Sequence, residues 1–188
     1  NSPHGDNKTS LAIFQLLINQ TGIDVDARTE EGFTALNRAA FRGEVDIVRA
    51  LLDAGADVQS VDHNNYTALM MAIVSPFGDN KIDIVDALIE QPDNEINAKD
   101  TEGLSVLHHA ALEGEVDIVR KLLDAGANVN GVDNNNYTAL VSVITSPFSN
   151  NKEKVVEVLL KHQNVGINAK IGDINPPLHH AAYEGELD

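Results

Sequence analysis

From Asp100 to Asn130 the chain reads Asp-Thr-Glu-Gly-Leu-Ser-Val-Leu-His-His-Ala-Ala-Leu-Glu-Gly-Glu-Val-Asp-Ile-Val-Arg-Lys-Leu-Leu-Asp-Ala-Gly-Ala-Asn-Val-Asn. Much the same pattern stands 71 residues earlier, and its punctuation predicts two short helices per unit. Thr34 or Ser105 supplies an N-cap hydroxyl, and Leu36, Ala39 and Ala40 make a small apolar face that Gly43 ends. Val45, Val48, Leu51 and Leu52 then form one helical stripe at i, i+3, i+6 and i+7, with Asp46 and Arg49 toward solvent. Gly55 closes the second helix as a left-handed C-cap. Neither helix can bury its stripe alone, so stability must come from stacked neighbours.

The unit recurs along the whole chain. Thr34-Ala-Leu36 returns as Thr67-Ala-Leu69, Ser105-Val-Leu107, Thr138-Ala-Leu140 and Pro176-Pro-Leu178, in steps of 33, 38, 33 and 38 residues. Short and long units therefore alternate. Gly43-Glu-Val-Asp-Ile-Val-Arg49 is repeated letter for letter at Gly114–Arg120, and Ser75-Pro-Phe77 returns as Ser146-Pro-Phe148. The long units gain four residues between their helices and one after the second helix. The inserted Ser-Pro-Phe segment reads as an extended loop.

These residues resemble the ankyrin repeat, a 33-residue unit with a Thr-Pro-Leu-His-x-Ala signature. Ala35, Ala68, Val106 and Ala139 replace the motif proline, and Asn37, Met70 and Val141 replace its histidine. The resemblance implies an all-α, ankyrin-type α-solenoid of stacked helix-turn-helix repeats with projecting β-hairpin fingers. Gly32 and Gly103 supply the positive φ of a finger turn, and Asn65 and Asn136 tolerate it. Ile174 does not, and Pro176-Pro177 removes the hydroxyl cap, so the last hairpin is expected to depart from the pattern with Asn175 as the cap. One array, 1–188, is expected, with whole units at 29–61, 62–99, 100–132 and 133–170 and partial units at 1–28 and 171–188. The register at both ends reads as a window cut from a longer array.

Composition narrows the function. Thirteen Lys+Arg against 29 Asp+Glu leave a net charge of −16, a poor match for nucleic acid or anionic membranes. No cysteine is present, which removes disulfides, thiolate zinc sites and Cys nucleophiles. No apolar stretch approaches the roughly 18 residues that span a bilayer. Asn-x-Thr matches at Asn7, Asn19, Asn65 and Asn136 read as chance in an Asn-rich chain. No Gly-rich phosphate loop, His-Glu-x-x-His or Gly-x-Ser-x-Gly motif occurs. No catalytic residue, cofactor or metal ligand is therefore expected, and the chain reads as a non-enzyme.

The paired His108-His109 and His179-His180 are consecutive and share no helix face, so neither is a zinc motif. The resemblance implies that His108 and His179 hydrogen-bond neighbouring backbone, while His109 and His180 turn toward the groove. Asn130, with Asn97 and Asn168 in similar loops, has two readings: the hydroxylation target known in this family, or a residue satisfying turn backbone. The second is favoured.

The resemblance further implies that a partner protein meets the fingers and first helices. By position these are Glu30, Glu31, Phe33, Phe41 and Arg42, then Thr101, Glu102, Leu104, Leu112 and Glu113. The long units contribute His63, Asn64, Tyr66 and Val74, then Asn134, Asn135, Tyr137 and Thr145, and the last unit Asp173, Asn175, Tyr183 and Glu184. Aromatic anchors ringed by polar groups suit protein interfaces. Phe77 and Phe148 stand as either exposed anchors or buried covers of a lengthened helix, with burial favoured. The expected function is a monomeric, cytoplasmic protein-interaction scaffold whose acidic face meets a basic patch. The alternatives are the targeting arm of a larger enzyme or secreted effector, and an assembly element that binds its own repeats.

Overall fold

The structure, a computed structural model, describes residues 7–77, 80–147, 150–168 and 175–185. Ten helices form among them, grouped in two compact units of residues 1–94 and 95–188. The first unit holds α1 (Asn7–Ile18), α2 (Ala35–Arg42), α3 (Val45–Asp53), α4 (Ala68–Val74) and α5 (Lys81–Ile89). The second holds α6 (Val106–Leu112), α7 (Val116–Asp124), α8 (Ala139–Thr145), α9 (Lys152–Lys161) and α10 (Pro177–Glu184). Extended pairing among the described residues is limited to single antiparallel bridges, Lys99 with Ser105 and Val132 with Thr138.

Each unit is built by stacking like on like. In the first, α2 lies on α4, α3 lies between α1 and α5, and the α2–α3 and α4–α5 hairpins close across the core. In the second, α8 lies between α6 and α10, and α7 lies on α9. The leucine of the recurring triplet anchors this packing. Leu36, Leu69, Leu107 and Leu140 are all but fully buried, whereas the fifth in the series, Leu178, is 77% exposed. Among the described residues the main packing of α10 is on α8, and Leu178 on its other side meets solvent.

The helix ends follow the residues that begin and end them. Thr34 Oγ1 accepts from Asn37 N–H, Thr67 Oγ1 from Met70 N–H and Thr138 Oγ1 from Val141 N–H. Gly43 takes φ +76° and donates to the Ala39 and Ala40 carbonyls, and Gly55 takes φ +84° after α3. At α10 the expectation is corrected. The N-cap is Pro176, with Pro177 as the first helical residue, and no side chain caps the helix. Asn175 is exposed and does not cap it. Ile174, Asp173 and Phe148 lie outside the described residues.

Candidate protein-interaction surface

Each unit presents turns that precede its first helices, and local hydrogen bonds shape those turns. In the second unit Asp100 N–H donates to Leu104 O, while Asp100 Oδ1 accepts from the N–H groups of Glu102 and Leu104, both at 2.9 Å. Asp133 does the same for Asn135 and Tyr137, at 2.8 Å each. In the first unit Asp62 Oδ1 serves Asn64 and Tyr66, and Thr29 Oγ1 accepts from Phe33. The turn residues Gly32, Asn65, Gly103 and Asn136 all have positive φ, between 61° and 85°, as their sequence positions require.

Successive turns are fastened within each unit. Asn134 N–H donates to Glu102 O at 3.0 Å and its Nδ2 to Thr101 O at 2.9 Å. Lys99 Nζ donates to Val132 O, and Arg28, 71 residues earlier, reaches Val61 O and Ser60 Oγ. A Cβ on Gly103 would sit 2.7 Å from Asn134 N, so the turns approach too closely there for a side chain. Sequence reading missed Arg28 and Lys99. Their signal was available: basic residues in matching register, each just before a turn.

The expected contact positions are presented, not buried. In the first unit Glu30, Glu31, Arg42, His63 and Asn64 are exposed, and Phe33, Phe41, Tyr66 and Val74 are half-buried. In the second, Thr101, Glu102, Glu113, Asn134, Asn135 and Tyr183 are exposed, and Leu104, Leu112, Tyr137, Thr145 and Glu184 are half-buried. The first-unit face is not uniformly acidic. Arg38 lies over the Phe33 ring at 5.6 Å and Arg42 over the Phe77 ring at 5.4 Å. Phe77 is 45% exposed, with its ring edge-on to Phe41 at 6.1 Å. It is neither the buried cover favoured from sequence nor a free anchor, because Phe41 shields one side only.

The histidines divide differently from expectation. His108 is buried, with Ser105 N–H 3.2 Å and Ser105 Oγ 2.8 Å from Nδ1. A backbone N–H can only donate, so Nδ1 carries no proton and Nε2–H donates to Tyr137 O at 3.0 Å. Burial holds the His108 pKa below its ordinary value. The Tyr137 carbonyl and Asp133 oppose that shift, and His109 and Lys99 add to it. Asn37 does the same work in the first unit. Its Oδ1 accepts from Thr34 N–H at 3.0 Å, and its Nδ2 donates to Ser60 O at 3.3 Å. His109 does not turn toward a groove. It is buried, with Nε2 2.9 Å from Asp100 Oδ2, because neighbours press on α6 from more than one side. His179 does not repeat His108: it is exposed, and Pro176 offers neither the N–H nor the hydroxyl that Ser105 supplies. His180 stays half-buried, edge-on to the Tyr137 ring at 5.5 Å.

Two further groups are structural. Asn130 Nδ2 donates to Asn164 O at 2.7 Å and its Oδ1 accepts from Gly166 N–H at 2.8 Å, as a residue satisfying turn backbone does. Lys81 is buried with Nζ donating to Ile73 O at 2.8 Å, and Lys152 Nζ reaches Ser146 O at 3.2 Å. Both lysines hold the carbonyl end of a long unit's first helix, a role the sequence reading did not assign. Among the described residues no group of three or more His, Asp or Glu side chains gathers as metal ligands. No helix among them is long and apolar enough to cross a membrane.

Helical pairs stacked in register, with capped first helices and fastened turns, define an all-α repeat protein of the solenoid class. The family model for ankyrin repeats (three copies) matches residues 6–100 and 77–173. The chain belongs to the ankyrin-repeat family. It is 30% identical over 143 residues to the putative ankyrin repeat protein YahD of Escherichia coli, covering 75% of this chain and 69% of that protein. It is 31% identical over 160 residues to the neurogenic locus Notch protein of Drosophila melanogaster, covering 85% of this chain but only 5% of that protein. The crystal structure of an ankyrin repeat domain from Acinetobacter baumannii superposes with a TM-score of 0.81 at 28% identity, covering 95% of this chain and 88% of that one. Ankyrin repeats are general protein–protein interaction modules and are typically non-catalytic.

Proposed function

We propose that this chain is a non-catalytic, cytoplasmic, monomeric scaffold that binds another protein through turn tips and first-helix positions on each unit. The observation that carries the reading is the turn geometry. Backbone polar groups of each turn are consumed by Asp62, Asp100, Asp133 or Thr29, so the tip side chains are held out before any partner arrives. Preorganisation of this kind lowers the entropy lost on binding. The contact residues are Glu30, Glu31, Phe33, Phe41, Arg42, His63, Asn64 and Tyr66 in the first unit. In the second they are Thr101, Glu102, Leu104, Leu112, Glu113, Asn134, Asn135, Tyr137 and Tyr183. The working repeats are 29–61, 62–99, 100–132 and 133–170, with partial repeats at 1–28 and 171–188. Glu30, Glu31, Glu102 and Glu113 favour a partner with a basic patch, and the net charge of −16 disfavours nucleic acid.

The test is partner recovery by affinity purification and mass spectrometry. A variant combining Glu31→Ala, Phe41→Ala, Glu102→Ala and Leu112→Ala loses the bound proteins, and Asp46→Ala with Asp117→Ala on the second helices keeps them. The reverse pattern, with melting temperatures unchanged, overturns the proposal. A second reading, the targeting arm of a larger multidomain enzyme or effector, is favoured by one observation: the chain spans 5% of the Notch protein it resembles.

A further inference from the structure

The chain carries an internal control for its own surface. α3 and α7 share Val-Asp-Ile-Val-Arg from Val45 and Val116, yet matching positions on and flanking α2 and α6 have diverged in the same register. Phe33, Arg38, Phe41 and Arg42 in the first unit stand where Leu104, His109, Leu112 and Glu113 stand in the second. α2 therefore presents two exposed cations, whereas α6 presents Glu113 and buries His109 against Asp100. Arg38 and Arg42 form no ion pair among the described residues, in a chain with 13 basic and 29 acidic groups. Each guanidinium instead lies over a phenyl ring, within the range of a cation–π contact.

The ring beneath Arg42 is itself held in place. Ser75 Oγ donates to Phe41 O at 2.6 Å and accepts from Phe77 N–H at 3.0 Å. Asn80 Nδ2 donates to Gly43 O at 3.3 Å, tying the far side of the loop to the end of α2. The four-residue insertion thus delivers Phe77 to Phe41 and Arg42. A bare repeat has no such residue.

We propose that Arg38 and Arg42, set on Phe33, Phe41 and Phe77, form a docking site for a short acidic peptide segment of a partner protein. The choice of occupant rests on charge and shape. A guanidinium held over a ring by a cation–π contact has N–H groups left to donate, and these match a carboxylate with two parallel hydrogen bonds. Arg38 and Arg42 stand one helical turn apart on α2, so their two guanidinium groups suit carboxylates carried close together on one short extended segment, whose alternate side chains are about 6.6 Å apart. Two carboxylates two residues apart are the simplest segment of that kind. Glu30 and Glu31, on the turn that carries Phe33, repel a longer anionic run, which sets a dicarboxylate segment apart from a nucleic-acid strand. This inference rests on the scaffold reading in placing the partner on turn and first helix. It adds a site of opposite charge in the first unit.

The test uses the full chain and a fluorescein-labelled peptide Gly-Ser-Leu-Asp-Leu-Asp-Leu-Gly, followed by fluorescence anisotropy. Binding is expected to weaken about tenfold with Arg38→Gln plus Arg42→Gln, and to stay unchanged with Arg49→Gln plus Arg120→Gln. Glu30→Gln with Glu31→Gln is expected to tighten it. Peptides with Asn or Lys in place of both Asp are expected to bind no better than to the Arg38/Arg42 variant. The inference is overturned if the Asn peptide binds equally well, or if both arginine pairs have the same effect. It is also overturned if a single-stranded decanucleotide binds more tightly than the peptide through Arg38 and Arg42. If the peptide fails while the Glu31/Phe41/Glu102/Leu112 variant still sheds its partners, only this inference falls. If the peptide binds and that variant keeps its partners, the scaffold reading falls instead.

Discussion

His108 and Asn37 show one task done by two side chains, and only one of them titrates. Each accepts from the backbone N–H of its helix cap and donates to a backbone carbonyl further along the chain. Protonating His108 would put a hydrogen on Nδ1 facing the Ser105 N–H. Burial lowers the His108 pKa in the folded state, so below the ordinary histidine pKa of about 6.5 the unfolded chain binds more protons than the folded one. The His108 contribution is present above that pH and is lost as pH falls through it. The urea midpoint is expected to fall between about pH 7.5 and pH 5.5, and His108→Asn, which copies Asn37, is expected to flatten the fall. Equal slopes for the two proteins would show that other groups carry the pH dependence. Lys81 makes a second residue-scale case. Its ammonium is buried against the carbonyl end of α4, so Lys81→Ala is expected to cost about 1–3 kcal/mol in urea denaturation. A loss under about 0.5 kcal/mol would mean that solvent takes over the Ile73 carbonyl.

The long units differ from the short ones by an inserted loop, and that loop crowds the glycine that ends the preceding first helix. A Cβ on Gly43 would lie 3.1 Å from Phe77 O, and one on Gly114 would lie 1.9 Å from Asn150 O. Both glycines also have positive φ, which alone costs a non-glycine residue about 1 kcal/mol or more. Gly114→Ala is therefore expected to lower the melting temperature further than Gly43→Ala, since the neighbouring backbone must shift far in the first case and only by a few tenths of an ångström in the second. Equal losses would show that φ, and not the inserted loop, governs both sites. The helices themselves were legible, because Thr-Ala-Leu triplets, capping hydroxyls and terminal glycines are local signals that recur in register. The site was legible only as positions. His109 read as outward because it follows an inward residue, but α6 is packed by α7 and α8 so that residues 106–111 are all buried, with Asp100 accepting from the imidazole. Lys81 opens α5, where a cation opposes the helix dipole, so nothing in its position signals a buried role. Its true partner, Ile73 O, depends on how the inserted loop folds back. Phe77 depends in turn on what the preceding unit offers, since phenylalanine at 41 gives it a ring where leucine at 112 would not.

At the scale of the whole molecule the net charge of −16 opposes folding and governs binding with opposite signs. Exposed ion pairs such as Arg120 with Asp117 and Lys161 with Glu157 are of the kind that contributes little. Long-range repulsion among the excess carboxylates is thus the larger electrostatic influence on stability. Salt shortens the range of that repulsion, from a Debye length of about 30 Å at 0.01 M to about 8 Å at 0.15 M. The urea midpoint is therefore expected to rise with sodium chloride, steeply at first, and to level off once the Debye length falls below the spacing of surface charges. A continued linear rise would point to salt exclusion from apolar surface instead, which grows with concentration and does not saturate. A fall would show that local ion pairs outweigh the net repulsion. Association with a partner bearing a basic patch is expected to run the other way, its rate dropping over the same salt range. Measured on one preparation, a rising midpoint with a falling association rate separates the two effects, because a general loss of structure would depress both.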